Sequence, residues 1–172
     1  MNIKPLFLSV VMLVTATAWA DPAPFGLEIG KTTIKEMQAK YSASNIGENK
    51  YSGGEMYSIK PSQIEFDGLQ EITTVFSKDG QLLAVLTTLP KSKFEYLYES
   101  MGKKYKLISK EIPFVGNKSA KYVNGNTEIT LDAPHLSFEM TMNYISKDLQ
   151  KAFEAQSATE NAKKKSKESS QL

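Results

Sequence analysis

The chain has 172 residues, 41% of them apolar and 23% charged, with a formal net charge of +2 and no Cys. That balance excludes a disordered polypeptide, a collagen and a multi-span membrane protein, and the missing thiols exclude disulfide scaffolds, thiol enzymes and thiolate metal sites. All 21 basic residues are Lys, so planar, bidentate guanidinium recognition of phosphate or carboxylate is ruled out.

Lys4 precedes an apolar run over residues 6–14, and small residues then lead to Ala18-Trp19-Ala20. A charged start, an apolar stretch and an A-x-A site predict an export signal over residues 1–20, cleaved between Ala20 and Asp21, with a periplasmic or extracellular product. The run is shorter than the roughly 20 residues a spanning helix needs, so no transmembrane anchor is expected after cleavage. Residues 21–145 hold 14 Lys and 15 acids, a net of −1, which leaves the basic excess in the C-terminal stretch. A nucleic-acid footprint is therefore not expected.

Thr33 followed by Glu36 forms a capping box. With Ile34, Met37 and Tyr41 on one face, it predicts a short helix through Tyr41. Ser92 and Glu95 repeat the box, and Phe94, Leu97, Tyr98 and Met101 supply the stripe of a second helix. Strands are predicted over residues 71–76 and 81–89, flanking Lys78-Asp79-Gly80, because Asp-Gly accepts the positive φ of a tight hairpin turn. Tyr122-Val123 and residues 127–131 flank Asn124-Gly125-Asn126 for the same reason. The clearest alternation runs over residues 136–145, with Leu136, Phe138, Met140, Met142 and Tyr144 sharing one face.

A helix followed by strands, twice over, predicts an α+β domain over residues 21–153: an antiparallel sheet with both helices on one face, in an order that admits a tandem repeat. Leu149, Ala152 and Phe153 offer a short apolar stripe for a docked C-terminal helix. Residues 154–172, with the lysines at 163–167, lack large apolar side chains before Leu172 and are expected to be a frayed helix or a disordered stretch, a solubilising tail.

Reactive side chains are few. His135 is the only imidazole. It stands near Asp132 and Ser137, but triads assemble from separated segments with the nucleophile at a strained turn, and no G-x-S-x-G is present. Met140 and Met142 place two thioethers on one strand face. Thioether sulfur is soft enough to prefer Cu(I), and with His135 the two form an alternative ligand set for it, set against the routine use of Met as core filler. Neither glycine-rich phosphate fingerprint occurs, and no cofactor is expected. Tyrosines remain: Tyr51 and Tyr57 around Gly53-Gly54, and Tyr96 off the main helix stripe, are candidates with His135 for a protein-binding face. A phenol combines apolar area with a polar tip at low rotamer cost.

Three segments carry a resemblance: Phe25-Gly26-Leu27-Glu28-Ile29-Gly30-Lys31-Thr32-Thr33, Val75-Phe76-Ser77-Lys78-Asp79-Gly80-Gln81-Leu82, and Asp132-Ala133-Pro134-His135-Leu136-Ser137-Phe138-Glu139. Together they resemble an uncharacterised exported family of proteobacterial proteins. The G-x-T-x-x-E helix start and the F-x-x-D-G hairpin are also similar to the repeats of β-lactamase inhibitor proteins and of the small lipoprotein subunit of the outer-membrane assembly machine. That second resemblance implies helices on an antiparallel sheet whose other face binds a protein. The lipidated Cys of one and the disulfides of the other have no counterpart here, and no functional residue carries over.

The sequence thus points to a periplasmic, non-enzymatic binding protein acting on another envelope protein. A carrier of a small hydrophobic ligand or of copper is the runner-up, and a hydrolase comes third.

Overall fold

The computed structural model describes residues 21–171, so the expected export signal lies outside the described residues. Helix α1 (Ile34–Lys40) opens on the capping box: Thr33 Oγ1 accepts from the Glu36 N–H, and the Glu36 carboxylate accepts from the Thr33 N–H at 2.7 Å. That backbone bond holds the Glu36 carboxyl below the usual carboxylate range. Strands β1 (Ala43–Glu48), β2 (Gly53–Ile59), β3 (Glu71–Ser77) and β4 (Leu82–Pro90) follow, then helix α2 (Phe94–Gly102) and strands β5 (Lys106–Glu111), β6 (Lys118–Asn124), β7 (Thr127–Ala133) and β8 (Glu139–Ser146). The chain closes on helix α3 (Lys147–Ser169).

The order helix plus four strands therefore occurs twice. Each set of strands is an antiparallel meander, and the two meanders join through β4 and β8 into one sheet of order β1-β2-β3-β4-β8-β7-β6-β5. The hairpin glycines behave as the sequence requires, with Gly80 at φ 75° and Gly125 at φ 55°.

One face of the sheet carries the main core. Met37 of α1 and Phe94, Leu97 and Met101 of α2 pack there against Ile72, Phe76, Val85, Tyr122, Leu131 and Met142. Both predicted helices thus lie on one face. The other face carries α3, which starts at the end of β8 with Ser146 as its N-cap. Leu149 packs on Val75 and Ala84, Phe153 meets Tyr51 edge-on at 4.9 Å, and Lys50 pairs with Glu160 at 3.4 Å. These successive contacts take α3 crosswise from β8 over β4 and β3 to the β1–β2 turn, leaving the far part of that face uncovered.

Several expectations need correction. The Ser92–Glu95 box does not form: α2 is entered through a 3₁₀ turn (Lys91–Lys93), its N-cap Lys93 makes no side-chain cap, and Glu95 pairs with Lys118. The strand expected over 136–145 begins at Glu139, so Leu136 and Phe138 leave the buried stripe that Met140, Met142 and Tyr144 keep. Pro134 ends the β7 side, and the loop consumes the next four residues. Strands β1, β2 and β5 are not located by any turn cue or alternation singled out in the sequence. The two edge strands are almost wholly exposed and show no alternation to detect. Past Phe153 the helix continues to Ser169, with Lys50–Glu160 tying it to the body before the lysines at 163–167.

Candidate interaction surfaces

The four side chains singled out for binding do not meet. Tyr57 is a core residue, 6% exposed, set edge-on to Phe76 at 5.9 Å, with its hydroxyl donating to Glu55 at 2.7 Å. That bond raises its pKa. Tyr51 is half-buried against Phe153 beneath α3. Tyr96 is exposed on α2 and borders a 240 Å³ cleft on the helical side, shared with Phe25, Phe66 and Tyr105. His135 lies on the exposed β7–β8 loop. Tyr57 is thereby withdrawn from any binding face.

The soft-donor set fails on the same ground. Met140 and Met142 point into the core at 1% and 2% exposure, among Leu89, Leu131 and the helices, whereas His135 stands outside it. Burial of both thioethers leaves no open set of three donors. Among the described residues no group of three or more His, Asp or Glu side chains is placed to hold a metal ion, and no helix is long and apolar enough to cross a membrane.

Two surfaces that the sequence did not single out stand out instead. The first is the end of the sheet where the β5–β6 loop (residues 112–117) and the β7–β8 loop (residues 134–138) lie side by side, because β6 and β7 are paired from Lys118 opposite Ala133. Phe114, Leu136 and Phe138 are 103%, 91% and 94% exposed there, and Val115 is exposed beside them. A folded chain normally hides such side chains, each of which would gain about 1.5–3 kcal/mol from burial.

The β7–β8 loop is anchored from behind by polar contacts. Lys91 Nζ donates to the carbonyls of Pro134 and His135, and the Lys91 N–H donates to the Phe138 carbonyl at 2.8 Å. The His135 N–H donates to Asn117 Oδ1 at 2.8 Å, which ties one loop to the other. The Glu139 N–H donates to Ser137 Oγ at 2.9 Å. The β7–β8 backbone is thus held while Leu136 and Phe138 face outward. Pro113 and Gly116 bracketing Phe114-Val115, and Pro134 ahead of Leu136, were the available sequence signals, but only the tertiary arrangement brings the two loops together.

The second surface is a trough on the sheet face that α3 partly covers. Its deeper part, 360 Å³, is lined mainly by apolar side chains between α3 and strands β3, β4 and β8. Leu86 also lines the adjoining 280 Å³, where Thr73, Thr88, Thr141 and Asn143 take over. The trough is therefore apolar at one end and hydroxyl- and amide-bearing at the other.

The chain matches no family model, no curated protein and no solved structure.

Proposed function

We propose that this is a non-enzymatic binding protein of the bacterial envelope that engages another protein through its paired loop end. The observation that carries this reading is the exposure of Phe114, Leu136 and Phe138 on two adjoining loops, the second of which has its backbone held by Lys91 and by the Asn117 side chain of the first. Binding energy at protein interfaces concentrates in a few apolar anchors, with aromatics favoured. Anchors held rigidly before encounter lose little conformational entropy on docking. Residues 112–117 and 133–138 contain no Lys, Asp or Glu, so the tip can enter an apolar pocket without stripping water from a charge. The placement differs from the sheet-face binding implied by the family resemblance, since α3 occupies part of that face.

A photo-crosslinking amino acid placed at Ser137 in living cells tests the reading. One discrete adduct should form, and Phe114→Ser with Phe138→Ser should abolish it without altering the folded state. No adduct, or an adduct indifferent to those substitutions, rejects the loop end as the binding surface. A carrier of a small hydrophobic ligand is the second reading, favoured by the apolar end of the trough beneath α3.

A further inference from the structure

We infer that the trough beneath α3 is a binding site for a single-chain amphiphile with an uncharged, hydroxyl-bearing head. The site is the one on which the small-ligand carrier reading rests, and it shares no residue with the loop end.

The apolar part accounts for the chain. Leu86 and Ile145 form its open floor, Val75 and Ala84 lie closed under Leu149 at its inner edge, Phe153 of α3 flanks it, and Glu128 borders it. Its 360 Å³ falls within the roughly 300–1,000 Å³ typical of small-molecule clefts. The cover is incomplete: Phe153 is 47% exposed, and Leu86 and Ile145 are only half-buried. A hydrocarbon chain laid along this floor would remove that remaining apolar surface from water, a gain that needs no directional partner.

The head group follows from what surrounds the other end. Leu86 sits opposite Thr73 on one side and Asn143 on the other, and Thr88 sits opposite Thr141 one step along the same face. Hydroxyls and an amide both donate and accept, which suits a diol or polyol. Charge selects against an acid. Glu71 borders this end, and Asp132 stands opposite Thr141 on the next strand. No lysine lines either part of the trough, and Lys121 on the same sheet face is paired with Glu128 at 2.9 Å. An anionic head would meet the lining carboxylates Glu71 and Glu128 with no lysine in the lining, whereas a neutral head meets hydrogen-bonding partners.

Titration calorimetry below the micelle-forming concentration tests this with monododecanoylglycerol, dodecanoate and glycerol. Saturable one-to-one binding of monododecanoylglycerol is expected, with dodecanoate about tenfold weaker or worse and glycerol silent. Leu86→Glu should weaken binding by at least about tenfold. Because that change could unfold the protein, Phe153→Ala on the exposed flank of the trough provides a second variant with the same expected direction. Absence of saturable binding by the folded protein overturns the proposal, as does wild-type affinity in Phe153→Ala. Equal affinity for dodecanoate overturns the assignment of an uncharged head.

Discussion

Ile46 and Ile108 hold equivalent positions in the two halves of the sheet. Each is the extra residue of a bulge in an edge strand, skipped between Asn45 opposite Tyr57 and Gly47 opposite Met56 in β1, and between Leu107 opposite Tyr122 and Ser109 opposite Lys121 in β5. The same defect thus recurs at the same pairing step, each time against a buried tyrosine on the second strand. Bulges on edge strands interrupt the row of free backbone groups that would otherwise template pairing with another chain. Both isoleucines are exposed, so Ile46→Lys with Ile108→Lys should change unfolding free energy by no more than about 0.5 kcal/mol. Denaturant titration checks this.

The run Leu136, Phe138, Met140, Met142 divides sharply in energetic weight. Leu136→Ala and Phe138→Ala should each alter stability by less than about 0.5 kcal/mol, because those side chains already sit in water. Met140→Ala and Met142→Ala should each cost about 2–5 kcal/mol, through lost burial and a cavity in the core. A strand running unbroken from residue 136 would instead give four similar losses in a denaturant series.

Two glycines should respond in opposite directions. A Cβ on Gly54 would lie 2.3 Å from the carbonyl oxygens of Phe76 and Ser77, backbone that cannot swing aside as a flexible side chain would. Gly54→Ala should therefore cost about 1–3 kcal/mol or more by forcing β2 away from β3. A Cβ on Gly102, in the last turn of α2, meets nothing within 4 Å. Gly102→Ala should be neutral or stabilise by up to about 1 kcal/mol, since it restricts the unfolded chain. Thermal melts of the two variants distinguish the cases.

Alkaline pH should destabilise the protein through its core phenols. Tyr122 donates to the Tyr98 carbonyl at 2.9 Å, and Tyr144 lies against Met101 Sδ at 3.6 Å. Burial pushes the Tyr122 phenol up to about 12 and raises Tyr144 as well. An unfolded phenol ionises near pH 10, so below that both states hold their protons and stability is intact. Above it the unfolded chain releases protons that the folded chain retains. Stability should then fall by about 1.4 kcal/mol per pH unit for each such phenol, until Tyr122 itself ionises near pH 12. Denaturant curves and phenolate absorbance across this range check the prediction. A stability that stays flat to pH 12 would contradict it.

Local chemistry was readable from the residues alone. The Thr33–Glu36 cap, the Phe94, Leu97, Met101 stripe and the glycine turns at Gly80 and Gly125 depend on neighbours within a few positions, and all appear in the structure. So does the alternation of Met140, Met142 and Tyr144. From these the α+β class, with both helices on one face of an antiparallel sheet, follows directly. Alternation cannot say where a strand begins, however, because Leu136 and Phe138 continue the pattern while lying on a loop that Lys91 holds from 43 residues away. Tyr57 illustrates the same limit: nothing beside it in the chain reveals that Phe76 and the helices will enclose it. The loop end and the trough each join segments remote in sequence, β5–β6 with β7–β8 and α3 with β3, β4 and β8. Only the pairing of strands, driven by burial of the helical face, decides which of those segments become neighbours.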